Sequence, residues 1–215
     1  MVSAIIFDFD GTIIDTEWSQ YATVQEEFQR HGHDYDLERF RAVVGRADGK
    51  HWSEELQDLM GPLADIEEIR ARRLKAHHDL IEATEIRPGV VELMAKAETL
   101  SRTLAVASSS PSSWVERHLT NRGLIDRFRF VATRDHVENA KPWPDVFLAA
   151  AKAIAVDPAD CLVIEDSHNG VVAAKAAGMR CVAVPNPVTA DSDFSAADLV
   201  LESLADLPYE RFNLH

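Results

Sequence analysis

Two aspartates, Asp8 and Asp10, stand two positions apart where an apolar run near the N-terminus ends. The run reads AIIF from Ala4 to Phe7 and is typical of a buried strand that stops at Gly11. Residues two apart in an extended segment project to the same side, so the two carboxylates should lie close together. Paired carboxylates repel each other unless a cation lies between them. An acidic turn would not explain this pairing, and the motif therefore predicts a functional site at the end of the first strand.

A second acidic pair, Glu165 and Asp166, follows another apolar run, which reads CLVI. If the two strands are neighbours, four carboxylates meet at one edge of a sheet, and hard oxygen ligands of this kind suit Mg²⁺. The predicted metal ligands are Asp8, Asp10, Glu165 and Asp166. Alternatively, Asp166 or Ser167 caps the helix that follows, and capping is compatible with metal binding.

Two further polar segments could hold a phosphate group. Ser108, Ser109 and Ser110 follow the apolar run TLAVA, and hydroxyl and backbone N–H groups between a strand and a helix can bind phosphate oxygens. Lys141 stands directly before the sequence PWP, so its backbone is restrained, and it could neutralise both a carboxylate nucleophile and a phosphate. Taken singly, the serine segment could also be an ordinary serine-rich turn, and Lys141 could also be an ordinary lysine on the surface.

These polar segments must be positioned by a parallel sheet. Apolar runs without alternation recur along the chain at 103–107, 128–132, 161–164, 181–184 and 199–201. Such runs are typical of strands that are buried on both faces, and helical patterns lie between them. The alternation predicts an α/β fold with a doubly wound, mostly parallel, Rossmann-like sheet of strand order 3-2-1-4-5. In that order the strand before Asp8 lies between the strands that precede Ser108 and Glu165.

Residues 16–84 interrupt the alternation with one helical pattern after another. In the first of these, Tyr21, Val24 and Phe28 recur at helical spacing. An all-helical cap is therefore expected between the first strand and the rest of the sheet. The predicted domains are a Rossmann-like catalytic core of residues 1–15 and 85–215 and a helical cap of residues 16–84.

Composition excludes several kinds of protein and of partner. The chain has 215 residues, of which 46% are hydrophobic and 27% charged, as in ordinary globular proteins. Its formal net charge of −14 repels phosphate backbones and anionic headgroups, so we expect neither nucleic acid nor a membrane surface as a partner. Cys161 and Cys181 lie in apolar runs without metal-binding spacing, and the N-terminus lacks the features of a signal peptide. We expect a monomer or weak dimer in the cytoplasm.

Taken together, the motifs resemble those of the haloacid dehalogenase-like hydrolase superfamily, and the resemblance covers the whole chain. The segments that match its four motifs, in the family's order, are DFDGT at 8–12, Ser108, Lys141 and Glu165-Asp166. The helical insertion, with Gly45-Arg46 inside it, is similar to the cap of the subgroup that contains β-phosphoglucomutase and phosphoglycolate phosphatase. The resemblance implies the same doubly wound core and a phosphorylated small molecule as substrate.

The resemblance also implies a role for each matched residue. Asp8 would be the nucleophile that forms an aspartyl-phosphate, and Asp10 would be the general acid and base, with its backbone carbonyl on the metal. The implied phosphate-binding residues are Ser108, the backbone amide of Ser109, and Lys141, which would bridge Asp8 and the phosphate. The implied Mg²⁺ ligands are Asp8, Asp10 and Asp166, with Glu165 as a further ligand.

The cap is expected to recognise the part of the substrate that does not react. Arg46 and Arg73 are the predicted substrate-binding residues, because a guanidinium group suits a second phosphate or a carboxylate. Arg46 equally fits a solvated surface arginine, and Arg70 or Arg72 could serve in place of Arg73.

The expected function is Mg²⁺-dependent hydrolysis of a small phosphomonoester, such as a sugar phosphate, through an aspartyl-phosphate. A β-phosphoglucomutase-type sugar phosphomutase is the alternative enzyme, since it shares every motif. Asp10 argues against dehalogenation, because the true dehalogenases of the superfamily lack this acid–base residue. A receiver-like signalling protein also carries a phosphorylatable aspartate, but receivers have about 120 residues and no helical insertion.

Overall fold

The sheet forms around β1, the apolar run that precedes the first aspartate pair. The computed structural model describes residues 2–43, 51–61 and 65–214. Strand β1 covers Ala4–Phe7, and all four of its side chains are buried. It pairs in parallel with β2, Thr103–Ala107, on one side and with β4, Cys161–Glu165, on the other. The strands that lead to Ser108 and to the second acidic pair are therefore its direct neighbours.

Six parallel strands make up the sheet, in the order β3-β2-β1-β4-β5-β6. The remaining strands are β3 at Phe130–Ala132, β5 at Arg180–Ala183 and β6 at Leu199–Val200. The predicted order 3-2-1-4-5 is confirmed, and β6 extends the sheet by one strand at the β5 edge.

Eight helices are described along the chain. They are α1 at Thr16–Arg30, α2 at Leu37–Val43, α3 at Trp52–Met60, α4 at Ile66–Ala83, α5 at Val90–Thr99, α6 at Ser112–Asn121, α7 at Asp145–Ala153 and α8 at His168–Ala176. Short 3₁₀ segments lie at Ile125–Arg127, Arg134–His136, Pro158–Asp160, Leu204–Asp206 and Tyr209–Phe212. Of the helices in the described ranges, none combines the length and the apolar character that crossing a membrane requires.

Apolar side chains cover both faces of the sheet. Along β1, Ile5 and Phe7 belong to the cluster on one face, whereas Ala4 and Ile6 belong to the cluster on the other. This division follows from the two-residue period of a strand. Helices α5 and α6 contribute to the first cluster, and α7 and α8 contribute to the second. Burying one large apolar side chain contributes about 1.5–3 kcal/mol, so the unalternated runs fix the sheet between two helical layers.

The chain divides into two compact units. One unit, the core unit, consists of residues 1–15 and 85–215 and contains the sheet with α5 to α8. The other, the helical unit, consists of residues 16–84 and contains α1 to α4. Within the helical unit α1 packs against α4, and the buried carboxylate of Glu27 accepts hydrogen bonds of 3.0 and 2.6 Å from the guanidinium of Arg72.

Arg87 joins two loops of the core unit. Its guanidinium donates to the carbonyl oxygens of Gly11, Val184 and Pro185, the last two at 3.0 and 2.9 Å. Gly11 lies in the loop after β1, and the other two carbonyls lie in the loop after β5. Because one planar group bonds to both loops, they are held side by side at the carboxyl edge of the sheet.

Candidate active site

The carboxyl ends of β1, β2 and β4 bring the predicted polar residues to one edge of the sheet, where open parallel sheets bind their ligands. The side chains gathered there are those of Asp8, Asp10, Ser108, Ser109, Lys141, Glu165 and Asp166. The carboxylates of Asp8, Glu165 and Asp166 are buried, at 6%, 0% and 1% exposure. Buried carboxylates are costly unless they are paired, so their contacts decide what the cluster can do.

Lys141 bridges two of these carboxylates. Its ammonium nitrogen lies 2.5 Å from Asp8 Oδ1 and 2.7 Å from Glu165 Oε1, and only 6% of its side chain is exposed. The Phe147 ring lies beneath the same nitrogen, 4.8 Å away. The backbone N–H of Lys141 donates to Ser109 Oγ at 3.3 Å. The structure therefore excludes the alternative of a surface lysine and places this cation against the predicted nucleophile.

The charges of this cluster shift one another's pKa. Burial raises the pKa of Asp8 to about 8; the Lys141 charge opposes this shift, and the carboxylates of Glu165 and Asp10 reinforce it. Burial lowers the pKa of Lys141, but the carboxylates of Asp8 and Glu165 outweigh it and hold that pKa above its usual value. Lys141 is therefore charged, while the anionic form of Asp8 is disfavoured until a further cation compensates the buried negative charge.

Glu165 is directed at Lys141. Its Oε1 accepts from the Lys141 ammonium, and its Oε2 accepts from the backbone N–H groups of Asp166 and Ser167, both at 2.8 Å, and from the Ser167 hydroxyl at 2.9 Å. Ser167 also caps α8 by accepting from the Gly170 N–H at 3.2 Å, so the capping alternative is confirmed. Within the described ranges, no three acidic, histidine or cysteine side chains are grouped to hold a metal ion. The prediction that the four carboxylates share one metal ion stays a prediction.

Gly170 allows this close approach of Glu165 to α8. A β-carbon at position 170 would lie 1.7 Å from Glu165 Oε1. Replacing Gly170 by Ala should lower kcat by about 10²-fold, because the displaced carboxylate would move the ammonium of Lys141. Steady-state phosphate release measures the loss. The matched control is Asn169→Ala on the exposed side of the same helix, which should keep wild-type kcat; equal kcat in both variants would contradict this assignment of Glu165.

Asp10 accepts hydrogen bonds from two serines of the predicted segment and from a tryptophan that sequence reasoning missed. Its Oδ2 accepts from the hydroxyls of Ser110 at 2.6 Å and Ser108 at 3.4 Å, and its Oδ1 accepts from the indole Nε1 of Trp114 at 2.9 Å. Ser110 belongs to the serine run that pointed to the site, but Trp114 carried no signal beyond its place in a helix. The serine segment after β2 therefore orients the second aspartate of the first pair.

Asp166 lies beside the turn that follows β1. Its Oδ1 accepts from the Thr12 hydroxyl at 3.3 Å, and its Oδ2 accepts from the side-chain amide of Asn186 at 2.7 Å. Gly11 makes this approach possible, because it has φ +85° and a β-carbon there would lie 2.2 Å from Asp166 Oδ2. Asn186 is a further residue that sequence reasoning missed, and its own carbonyl is fixed by the backbone N–H of Val188 at 2.7 Å.

A known protein family matches the part of the chain that contains these site residues. The model of the family described as haloacid dehalogenase-like hydrolase matches residues 5–184, a span that contains both acidic pairs, the serine segment and Lys141. The chain belongs to the haloacid dehalogenase-like hydrolases. The predicted family and the doubly wound fold are thereby confirmed.

Relatives of this haloacid dehalogenase-like hydrolase cover nearly its whole length. It is 42% identical over 207 residues to YhcW of Bacillus subtilis (strain 168), which is named a candidate phosphatase; the match covers 96% of this chain and 94% of YhcW. A mutant of CbbY from Rhodobacter sphaeroides, solved with xylulose-(1,5)bisphosphate, is 31% identical with a TM-score of 0.74 over 97% of both chains. A β-phosphoglucomutase from Clostridium difficile is 26% identical with a TM-score of 0.71, covering 99% of this chain and 96% of that one.

The donor set of this haloacid dehalogenase-like hydrolase fits a hard divalent cation. The carboxylates of Asp8 and Asp166 and the backbone carbonyl of Asp10 are all oxygen donors. Burial raises the pKa of Asp8, and the neighbouring carboxylates of Glu165 and Asp10 raise it further, so a cation at this edge would favour the ionised form. A divalent ion would supply the missing positive charge, whereas no cysteine or histidine lies in this set to favour a softer metal.

The two predicted arginines belong to the helical unit. Arg46 lies outside the described residues. Arg73 is buried at 8% exposure, and its Nη2 donates to the carbonyl oxygen of Gln20 at 3.1 Å, while its Nε has no hydrogen-bond partner among the described residues. Burial lowers the pKa of Arg73 to about 10, and it therefore stays charged at neutral pH. The assignment of both arginines to substrate binding stays a prediction.

Proposed function

We propose that this haloacid dehalogenase-like hydrolase is a Mg²⁺-dependent phosphatase that acts on a small phosphomonoester, such as a sugar phosphate. The observation that carries the proposal is the contact between Lys141 and Asp8, beside an Asp10 carboxylate that accepts from two serine hydroxyls and an indole. A buried carboxylate fixed by a cation suits a nucleophile, and a second carboxylate next to it suits proton transfer.

The reaction has two displacements at phosphorus. In the first, a carboxylate oxygen of Asp8 attacks the phosphorus, the bond to the leaving alkoxide oxygen breaks, and Asp10 gives that oxygen a proton. In the second, water attacks the aspartyl-phosphate, its proton goes to Asp10, and the bond between phosphorus and Asp8 breaks. The products are the alcohol and inorganic phosphate, and both aspartates return to their starting states.

The groups around Asp8 stabilise the charge of the transferred phosphoryl group. Lys141 presents a fixed positive charge at Asp8, and Ser108 with the backbone N–H of Ser109 offers neutral donors at the end of the neighbouring strand. Glu165 holds the Lys141 ammonium in place, and we assign it to this positioning in place of the metal-binding role predicted from the sequence. Because these donors are fixed before the substrate binds, they need little reorganisation during the reaction.

Mg²⁺ would be held by the carboxylates of Asp8 and Asp166 and by the carbonyl oxygen of Asp10. When bound, it neutralises negative charge on the nucleophile and on the phosphate oxygens. Asn186 and Thr12 orient the Asp166 carboxylate toward the turn after β1.

The helical unit is the proposed cap that recognises the substrate. Arg73 supports this role, because a buried guanidinium whose Nε has no partner in the described part of the chain can bind a phosphate or a carboxylate. Arg46 is the second proposed substrate ligand, a role it takes from the sequence alone. A monomeric or weakly dimeric state and a cytoplasmic location stay predictions from the sequence.

A phosphomutase of the β-phosphoglucomutase type is the second candidate, favoured by the likeness to the Clostridium difficile enzyme over almost the whole chain. Both reactions pass through the same aspartyl-phosphate, so the described residues serve either. They differ in the acceptor, which is water in a phosphatase and a bound sugar phosphate in a mutase.

The deciding experiment measures which acceptor takes the phosphoryl group. The enzyme is incubated with Mg²⁺ and phosphorylated sugars, including β-glucose 1-phosphate with and without glucose 1,6-bisphosphate, and xylulose 1,5-bisphosphate, the ligand bound to the CbbY relative. We expect stoichiometric release of inorganic phosphate from one class of sugar phosphate, and none from the Asp8→Asn variant. Formation of glucose 6-phosphate far above phosphate release would overturn the phosphatase assignment in favour of the mutase.

A further inference from the structure

The hydrogen bonds to Asp10 differ in kind at its two carboxylate oxygens. Oδ1 accepts from the indole N–H of Trp114 at 2.9 Å, whereas Oδ2 accepts from the hydroxyls of Ser110 and Ser108. An indole nitrogen can only donate, because it has no lone pair to offer, but a hydroxyl can donate or accept. The two oxygens therefore differ in their ability to carry a proton.

Trp114 is connected to the first aspartate pair through His118 and Phe9. Its ring meets the buried imidazole of His118 edge to face, with centroids 4.3 Å apart. His118 in turn stacks on Phe9, the residue between the two aspartates, at 6.3 Å. The guanidinium of Arg117 lies 5.5 Å above the indole. Packing through Phe9 thus fixes the indole relative to the peptide that carries Asp10.

An ordinary half-buried tryptophan needs an acceptor for its N–H, and any carbonyl or water would serve. Here the acceptor is a carboxylate that the proposed reaction requires both to release and to take up a proton. The hydrogen bond from the indole favours Oδ1 as the carbonyl oxygen of the protonated acid, because a carbonyl oxygen accepts a hydrogen bond more strongly than the hydroxyl oxygen of an acid does. The hydroxyls at Oδ2 can reverse their role when that oxygen is protonated.

We propose that Trp114 is a positioning residue that directs the acid–base proton of Asp10 to Oδ2, the oxygen next to Ser108. The inference rests on the proposed function, in which Ser108 binds the phosphate and Asp10 protonates the leaving oxygen. Oδ2 lies on the side of the phosphate-binding serine, so a proton held there is placed for the leaving group. A proton on Oδ1 would lie on the side of the indole, away from that serine.

The test compares leaving groups. Because kcat/KM includes only the steps up to departure of the alcohol, a series of aryl phosphates from p-nitrophenyl to phenyl phosphate reports how far Asp10 protonates the leaving oxygen. The poorer the leaving group, the more its departure depends on this proton. Trp114→Phe keeps an aromatic ring against His118 and removes the N–H. We expect it to lower kcat/KM for phenyl phosphate about tenfold or more and for p-nitrophenyl phosphate less than about twofold.

Two further variants complete the experiment. Replacement of Trp114 by β-(3-benzothienyl)alanine preserves the shape of the indole without its N–H, and it should reproduce the steeper dependence on the leaving group even if Trp114→Phe does not fold. The matched control is Trp143→Phe in the same unit, which removes an indole that is 61% exposed. In this variant kcat/KM should depend on the leaving group as it does in the wild type.

The outcomes separate this inference from the proposed function. If the wild type releases phosphate and the Asp8→Asn variant does not, the phosphatase assignment is supported whatever the role of Trp114. If the wild type then shows the same leaving-group dependence as both Trp114 variants, the positioning role is overturned and the function stands. If the wild type hydrolyses only sugar phosphates, their alkoxide leaving groups are poorer than phenolate, so an unchanged kcat/KM in both Trp114 variants overturns the positioning role. If the wild type hydrolyses neither aryl nor sugar phosphates, both the function and the role of Trp114 are overturned.

Discussion

Replacement of Asp8 by Asn should abolish turnover and leave the fold intact. The amide has the shape of the carboxylate but lacks the charge that attacks phosphorus, so kcat should fall by at least about 10⁴-fold. Lys141 keeps its second partner, Glu165 Oε1 at 2.7 Å, so its buried ammonium stays paired. Phosphate release under single-turnover conditions, with the Asp8→Asn protein in excess over substrate, measures the remaining rate.

The same substitution should not lower the stability of the metal-free protein. Burial raises the pKa of Asp8 to about 8, which means that the fold disfavours its ionised form relative to the unfolded chain. Near pH 7 the unfolded chain has already lost this proton, so keeping an acid at this position costs stability that an amide does not. Thermal unfolding should therefore show a transition at or above that of the wild type.

The control for Asp8→Asn is Asp126→Asn, the same chemical change at an exposed position of the core unit. This variant should keep wild-type turnover and stability within about 0.5 kcal/mol. An Asp8→Asn protein that folds and retains a tenth of the wild-type kcat would contradict a covalent mechanism through Asp8.

The edge of the sheet that forms the site could be predicted because its signals are local. Unalternated apolar runs mark buried parallel strands, and polar residues directly after such runs must lie at the carboxyl edge. The order of strands placed Asp8 between the segments that contain Ser108 and Glu165, as the register of β1 with β2 and β4 confirms. Burial of apolar surface on both faces leaves few alternative arrangements for these strands.

The direction of Glu165 could not be predicted from its place beside Asp166. Successive residues of a strand project to opposite sides, so two adjacent carboxylates do not readily face the same point. Glu165 ends β4 and faces Lys141, while Asp166 begins the loop and faces Thr12 and Asn186. Which of the two turns toward the lysine depends on the packing of α8 through Gly170, a contact that sequence spacing does not reveal.

Trp114 and Asn186 were missed because their partners lie far along the chain. Trp114 is 104 residues from Asp10, and Asn186 is 20 residues from Asp166. A tryptophan at helical spacing from His118 has the pattern of a core residue, and an asparagine before proline has the pattern of a turn. Only the fold, which brings α6 and the loop after β5 to the end of β1, shows that both side chains donate to carboxylates of the site.

After the Asp8→Asn substitution, removal of divalent cations should have the largest effect on turnover. Exhaustive chelation should lower kcat by about 10³-fold or more, because the buried charge of Asp8 and Asp166 then lacks its proposed counterion. Mg²⁺ should restore turnover. Ca²⁺ should bind without restoring it, because its larger and less regular coordination misplaces nucleophile and phosphate. Full activity of the chelated enzyme would contradict the metal requirement.

Thermal unfolding gives a readout of the same site that does not depend on activity. An ion that binds only the folded state adds about 2.7 kcal/mol of stability at a concentration 100 times its Kd, so Mg²⁺ should raise the unfolding temperature of the wild type. Asp166→Asn keeps the volume of the side chain and its place near Thr12 and Asn186 but removes one charged ligand. It should lose most of this stabilisation and most of the turnover together, whereas Asp126→Asn should lose neither. An Asp166→Asn protein that Mg²⁺ stabilises as strongly as the wild type would place the metal elsewhere.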